Sequence, residues 1–75
     1  LTIFPNPSND EVQLNFEDGV IVNYSIVDLQ GRTVSSSSNV NSNNVKLNVA
    51  NFNAGSYIVN VETSKGVAQR KLIVE

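Results

Sequence analysis

The sequence predicts a small antiparallel β-sandwich of about seven strands. Three observations lead there. Val and Asn each occur twelve times; Val suits a pleated, half-buried surface, and Asn suits turns and positive φ. Ala, the best helix former, occurs only three times, and no window carries a sustained apolar stripe of helical period. Short alternating runs recur with turn signals roughly every 8–12 residues, the spacing of a sandwich or barrel. A chain of 75 residues is one domain at most. At that size folding buries only about 60% of the surface exposed by the unfolded chain. That allows a core but no large enclosed cavity.

Taken in order, residues 1–4 alternate weakly and stop at Pro5-Asn6-Pro7. Those prolines cannot donate to a ladder, so the triplet is expected at a bend or an edge. Residues 11–16 alternate cleanly, with Val12, Leu14 and Phe16 on one face. Asp18-Gly19 follows, a dipeptide suited to a tight hairpin turn. Residues 20–29 form the longest strand candidate. Val20, Val22, Tyr24 and Ile26 share one face, while Ile21 and Val27 imply that part of the other is covered too. Gln30-Gly31 is the next turn, and residues 32–36 return as a short strand with Val34 inward. Residues 35–44 are almost all Ser and Asn, which reads as the floppiest stretch, a loop long enough to cross between sheets. Val45, Leu47 and Val49 alternate again. An irregular corner over residues 50–55 supplies Phe52 as a plug for the core. Residues 56–62 put Tyr57, Val59 and Val61 on one face; Ser64-Lys65-Gly66 turns the chain, and residues 67–74 close the sheet. No solenoid-length repeat is visible. Few charges guard the edges of such a sandwich, so strand-mediated homodimerisation is an expected hazard.

What the chain lacks narrows its chemistry. Without Cys there are no disulfides, thiol nucleophiles or Cys-based zinc sites, and without His there are no Ser-His-Asp systems. No metal site or other cofactor is expected. The scattered Asp10, Glu11, Glu17 and Asp18 lack the alternating spacing of a calcium loop. Net charge is −2 and the basic residues are scattered, which argues against nucleic acid and anionic membrane surfaces as partners. No small-molecule substrate is expected, and the absence of Trp weakens a sugar-binding reading. No run approaches the roughly 18 apolar residues of a membrane span. There is neither a signal-peptide pattern nor any Met. The sequence therefore reads as a non-catalytic β domain, expected to be a piece cut from a larger precursor.

Four signatures stand in a fixed order: Phe4-Pro5-Asn6-Pro7, Asp28-Leu29-Gln30-Gly31-Arg32, Asn53-Ala54-Gly55-Ser56-Tyr57 and Lys71-Leu72-Ile73-Val74. Together they resemble the type A C-terminal sorting domain of type IX secretion system (Por secretion system) cargo from Bacteroidetes. The resemblance runs the length of the chain. It implies an Ig-like sandwich over residues 1–75 that acts as a secretion signal. The implied partners are the type IX outer-membrane translocon, its shuttle protein, a sortase-like peptidase and a covalently joined N-terminal passenger. The implied route is through the periplasm to the cell surface or the medium, with the domain usually cleaved off. Rival readings are an Ig-like structural or adhesion spacer and, less favoured, a carbohydrate-binding sandwich.

Each signature also has a local reading. Pro5, Asn6 and Pro7 fix backbone angles at an edge, and the resemblance adds recognition. Asp28 can accept backbone N–H bonds in a turn where Gly31 supplies positive φ. Arg32 either pairs with Asp28 or offers its donor fork to a partner. Gly19 serves a turn. Gly55 and Tyr57 form the entry to a core strand, with the Tyr ring inward and its hydroxyl on nearby backbone, as in a tyrosine corner. Lys71, Leu72, Ile73 and Val74 carry the strongest functional expectation, because an edge strand with a basic head can add onto a partner's sheet.

Overall fold

The computed structural model of the chain describes residues 1–4 and 10–75. Among them seven strands form: β1 Thr2–Phe4, β2 Glu11–Asn15, β3 Ile21–Asp28, β4 Thr33–Ser37, β5 Asn44–Asn48, β6 Gly55–Thr63 and β7 Gly66–Val74. All pairings are antiparallel. They build a three-stranded sheet in the order β1-β2-β5 and a four-stranded sheet in the order β4-β3-β6-β7. This is the expected Ig-like sandwich. Relative to the constant-domain layout its fourth strand joins β3 in the second sheet instead of β5 in the first.

The core lies between the sheets. Val12, Leu14 and Leu47 face it from the first sheet; Ile21, Ile26, Tyr57, Val59, Val61, Leu72 and Val74 face it from the second, and Val49 closes one end. In β2, β5, β6 and the end of β7 these are the alternate residues that the sequence pattern selects. Burying a Val or Leu side chain contributes about 1.5–3 kcal/mol, so β2, with Val12 and Leu14, and β6, with Val59 and Val61 beside Tyr57, anchor the fold. Thr63 is the buried polar residue among the described ones. Its hydroxyl donates to the Gly66 carbonyl at 2.7 Å and accepts from Lys65 N–H at 3.1 Å, which closes the β6–β7 hairpin. Phe52 is half-buried and packs against the core at its end.

Four sequence expectations need correction. Strict alternation in β3 fails because its pairing with β6 shifts between Ile21 and Asn23. Val22 is the extra residue of a bulge, so Ile21 and Ile26 both point inward and Val20 is exposed. The cause lies on the strand's other side. Val40 N–H bonds the Val22 carbonyl at 2.9 Å, and Ile21 exchanges bonds of 2.7 and 3.3 Å with Ser42. Those bonds also revise the second expectation. β4 and β5 take the two ends of the 35–44 stretch, and the remainder is tethered along β3, with Asn39 and Asn41 at φ 58° and 49°. It does cross between the sheets, as expected.

Val34 is not inward. The β3–β4 pairing also shifts, between Ile26 and Val27, leaving Val34 unpaired and 43% exposed. Ser35, opposite Ile26, takes the half-buried place. Finally, Asp18-Gly19 is not a hairpin turn, since β2 and β3 belong to different sheets. Gly19 is needed for close approach: a Cβ there would collide with the Ser64 hydroxyl and press on the Phe16 ring. That hydroxyl accepts from Val20 N–H at 3.1 Å while Ser64 N–H donates to the Val20 carbonyl at 2.9 Å, strapping the crossover to the β6–β7 hairpin.

Candidate functional site

The β3–β4 turn is organised by one carboxylate. Asp28 Oδ1 accepts from Gln30 N–H at 2.9 Å and Arg32 N–H at 3.0 Å, and Oδ2 accepts from Arg32 Nε at 3.0 Å. Two backbone bonds, Gly31 N–H to the Asp28 carbonyl and Asp28 N–H to the Arg32 carbonyl, complete it. Gly31 sits at φ 84°, where a side chain is strained. The backbone N–H of Arg32, its guanidinium and the Gln30 N–H hold the Asp28 carboxyl below its ordinary value, against partial burial that pushes it up. Arg32 thus does pair locally with Asp28, through Nε alone. Its side chain remains 74% exposed, and its outer nitrogens have no hydrogen-bond partner among the described residues.

The corner before β6 is organised by one ring. Asn48 Oδ1 accepts from Ala50 N–H at 2.9 Å and the Val49 carbonyl accepts from Phe52 N–H at 3.0 Å, turning the chain out of β5. Tyr57 is buried, and its hydroxyl donates to the Asn53 carbonyl at 2.6 Å. Its ring lies 5.3 Å from that of Phe52, tilted by 47°. This is the geometry of a tyrosine corner.

The sheet brings these pieces together. Asp28 stands opposite Tyr57 across β3 and β6, and on the other side Gly55, Ser56, Tyr57 and Ile58 stand opposite Val74, Ile73, Leu72 and Lys71. Leu72 and Val74 point into the core, whereas Lys71 is exposed and Ile73 half-buried. Three of the four sequence signatures therefore meet at one end of one sheet. Asp28, Leu29, Arg32, Asn53, Ser56 and Tyr57 line an open hollow there, and Val34, Phe52, Asn53 and Tyr57 line a second one beside it. From the fourth signature, Phe4 ends β1, which runs parallel to β5 and so toward the same end; Pro5, Asn6 and Pro7 lie outside the described residues. The hollow's carboxylate is engaged in three hydrogen bonds. What this end offers a partner is the exposed Leu29, the Arg32 fork and main chain.

Sequence reading missed Arg70. It stands opposite the buried Val59, on the inner face of β7. Nε donates to the Leu1 carbonyl at 3.2 Å and Nη1 to the Gln69 carbonyl at 2.7 Å. An inward charge at a sheet edge blocks further pairing. The signal was present in the sequence: Arg70 lies at even spacing from Leu72 and Val74.

No curated protein matches the chain. The family model described as secretion system C-terminal sorting domain matches residues 2–75, a span that takes in every strand and all the residues gathered at this end. The chain therefore belongs to that family, the sorting signals of type IX secretion, which engage the secretion machinery and direct export to the cell surface or extracellular space.

Proposed function

We propose that residues 1–75 form one non-catalytic sorting domain at the C-terminal end of a larger secreted precursor. The precursor crosses the periplasm, and this domain presents its N-terminal passenger to the shuttle protein and outer-membrane translocon. A sortase-like peptidase then removes the domain. The passenger is covalently joined and contributes its own activity. One observation carries the reading: the 28–32 turn, the 53–57 corner and the 71–74 strand end meet on one end of the second sheet. Residues far apart in the chain thus form one folded surface. Only the folded domain displays it, which suits a signal read after translocation into the periplasm. Asp28 and Gly31 shape the turn, Arg32 offers its fork, and Lys71 and Ile73 mark the strand end.

The test is an export assay. The chain is fused behind a signal peptide and a fluorescent reporter in a Bacteroidetes host, with and without a working translocon, beside the tail of a known cargo. Reporter outside the cell only when the translocon works is the expected result. Reporter held in the periplasm of both strains, while the known tail is exported, would return the chain to an Ig-like spacer. Arg32→Lys, which keeps the charge and loses the fork, should reduce export.

A further inference from the structure

β4 contributes almost nothing to the core. Four of its five residues are exposed and the fifth, Ser35, is half-buried. Each of the other three strands in that sheet buries two or more side chains. Three strands in the first sheet face four in the second, and β4 is the one left uncovered. Among the described residues its one strand neighbour is β3, and no loop backbone bonds to its far edge. Such an edge is a ready template for another strand and is commonly guarded by Lys, Pro or an inward charge. β7 has Arg70 and Lys71, and β5 has Lys46 at its centre. Thr33–Ser37 contains no charge and no proline.

Two features at the start of β4 select what can pair there. The bulge turns Val34 into a hollow of about 320 Å³ shared with Phe52 and Tyr57, room for one large apolar side chain. Arg32, one residue before the strand, is held by Nε and presents its outer nitrogens to solvent; such a fork matches a carboxylate.

We propose that β4 is the strand through which the export machinery reads this domain, an inference that rests on the sorting function above. An extended segment of a machinery component pairs along its outer edge, places one large apolar side chain against Val34, Phe52 and Tyr57, and sets a carboxylate on Arg32. A second copy of this chain is a poor occupant. In a two-fold pair of β4 strands each Arg32 would meet the Ser-rich end of the other, and residues 33–44 contain no carboxylate to receive its fork.

The test is photo-crosslinking in cells on the full passenger-linked chain, with a benzophenone amino acid at Ser36 and, separately, at Val67, which is 76% exposed on β7. Position 36 should form an adduct with a machinery component that disappears in a translocon-deficient strain, and position 67 should not. In parallel, Ser36→Lys and Arg32→Ala should each cut export about tenfold or more, while Ser36→Thr exports normally. Protease resistance of the retained Ser36→Lys precursor, equal to wild type, shows that the fold is intact. Adducts from position 67 alone, adducts between two copies of the chain, or full export of Ser36→Lys would each overturn the inference. Failure of the wild-type chain to be exported, beside a known cargo tail that is, would instead remove the sorting function itself.

Discussion

The Tyr57 hydroxyl donates a 2.6 Å hydrogen bond to the carbonyl of Asn53, four residues earlier. The bond closes the corner that sends the chain from the first sheet into β6, and the ring behind it is core. Tyr57→Phe keeps the ring and removes the bond. The expected cost is about 0.5–1.5 kcal/mol, seen as a melting temperature lowered by roughly 2–12 °C. Export should persist at temperatures where the variant is folded. A selective loss of export with an unchanged melting temperature would make the hydroxyl a recognition group.

Asp28 gives the turn a pH dependence of known sign. Folding lowers its carboxyl below the ordinary 3.8. Its stabilisation is therefore present above the unfolded value and is lost as pH falls through the folded one. The melting temperature should fall below about pH 4, and less steeply in Asp28→Asn, which has no charge to lose. Equal acid slopes in the two proteins would place the effect on other carboxylates.

The bulge in β3 makes a pair of neighbours unequal. Ile21 is fully buried, and Val22, which shares a face with Ile26 under simple alternation, is half-buried. Ile21→Ala should cost about 2–5 kcal/mol, and Val22→Ala far less, by denaturant unfolding of each variant. A larger loss at Val22 would restore uninterrupted alternation.

That contrast marks how far the sequence could be read. Where a strand pairs without interruption, as β2 does with β5 over Val12 and Leu14, period-2 alternation names the core directly. It fails at Val22 because the bulge there depends on what lies along the other edge of β3, Val40 and Ser42, and at Val34 because the register of β4 against β3 shifts between Ile26 and Val27. Partners distant in sequence leave no local signal. The pairing of Arg32 with Asp28 was one of two readings the sequence left open. That Asp28 accepts backbone N–H bonds in its turn was legible from turn chemistry, and the inward Tyr57 from its place in a corner. That these two signatures and the 71–74 strand end share one surface was not, since the sheet order β3-β6-β7 sets it. Arg70 was overlooked because a charge among apolar alternates looks like a surface residue until its face is known.

Gly19 and Ser64 form a testable coupled pair. Gly19→Ala would drive its methyl into the Ser64 hydroxyl that accepts from Val20 N–H, costing about 1–3 kcal/mol. Ser64→Ala gives up that bond and also removes the obstacle. In the double variant the second change should therefore cost less than it does alone, with a coupling of about 0.5 kcal/mol or more in a double-mutant cycle. Additive losses would mean that the crossover shifts to accommodate the methyl without touching Ser64.

Deleting residues 71–75 should abolish export, but the deletion removes two things at once. Leu72 and Val74 are buried opposite Tyr57 and Gly55, so truncation also strips the core. Point changes on the two faces of the strand separate the contributions. Leu72→Ala should lower stability by about 2–5 kcal/mol and reduce export through misfolding. Lys71→Gln alters an exposed side chain, and its melting temperature should stay within a few degrees of wild type. If the strand end is read by the machinery, Lys71→Gln loses export while remaining folded. If it exports normally while Leu72→Ala does not, the closing strand serves the fold, and recognition rests with the rest of this end of the sandwich.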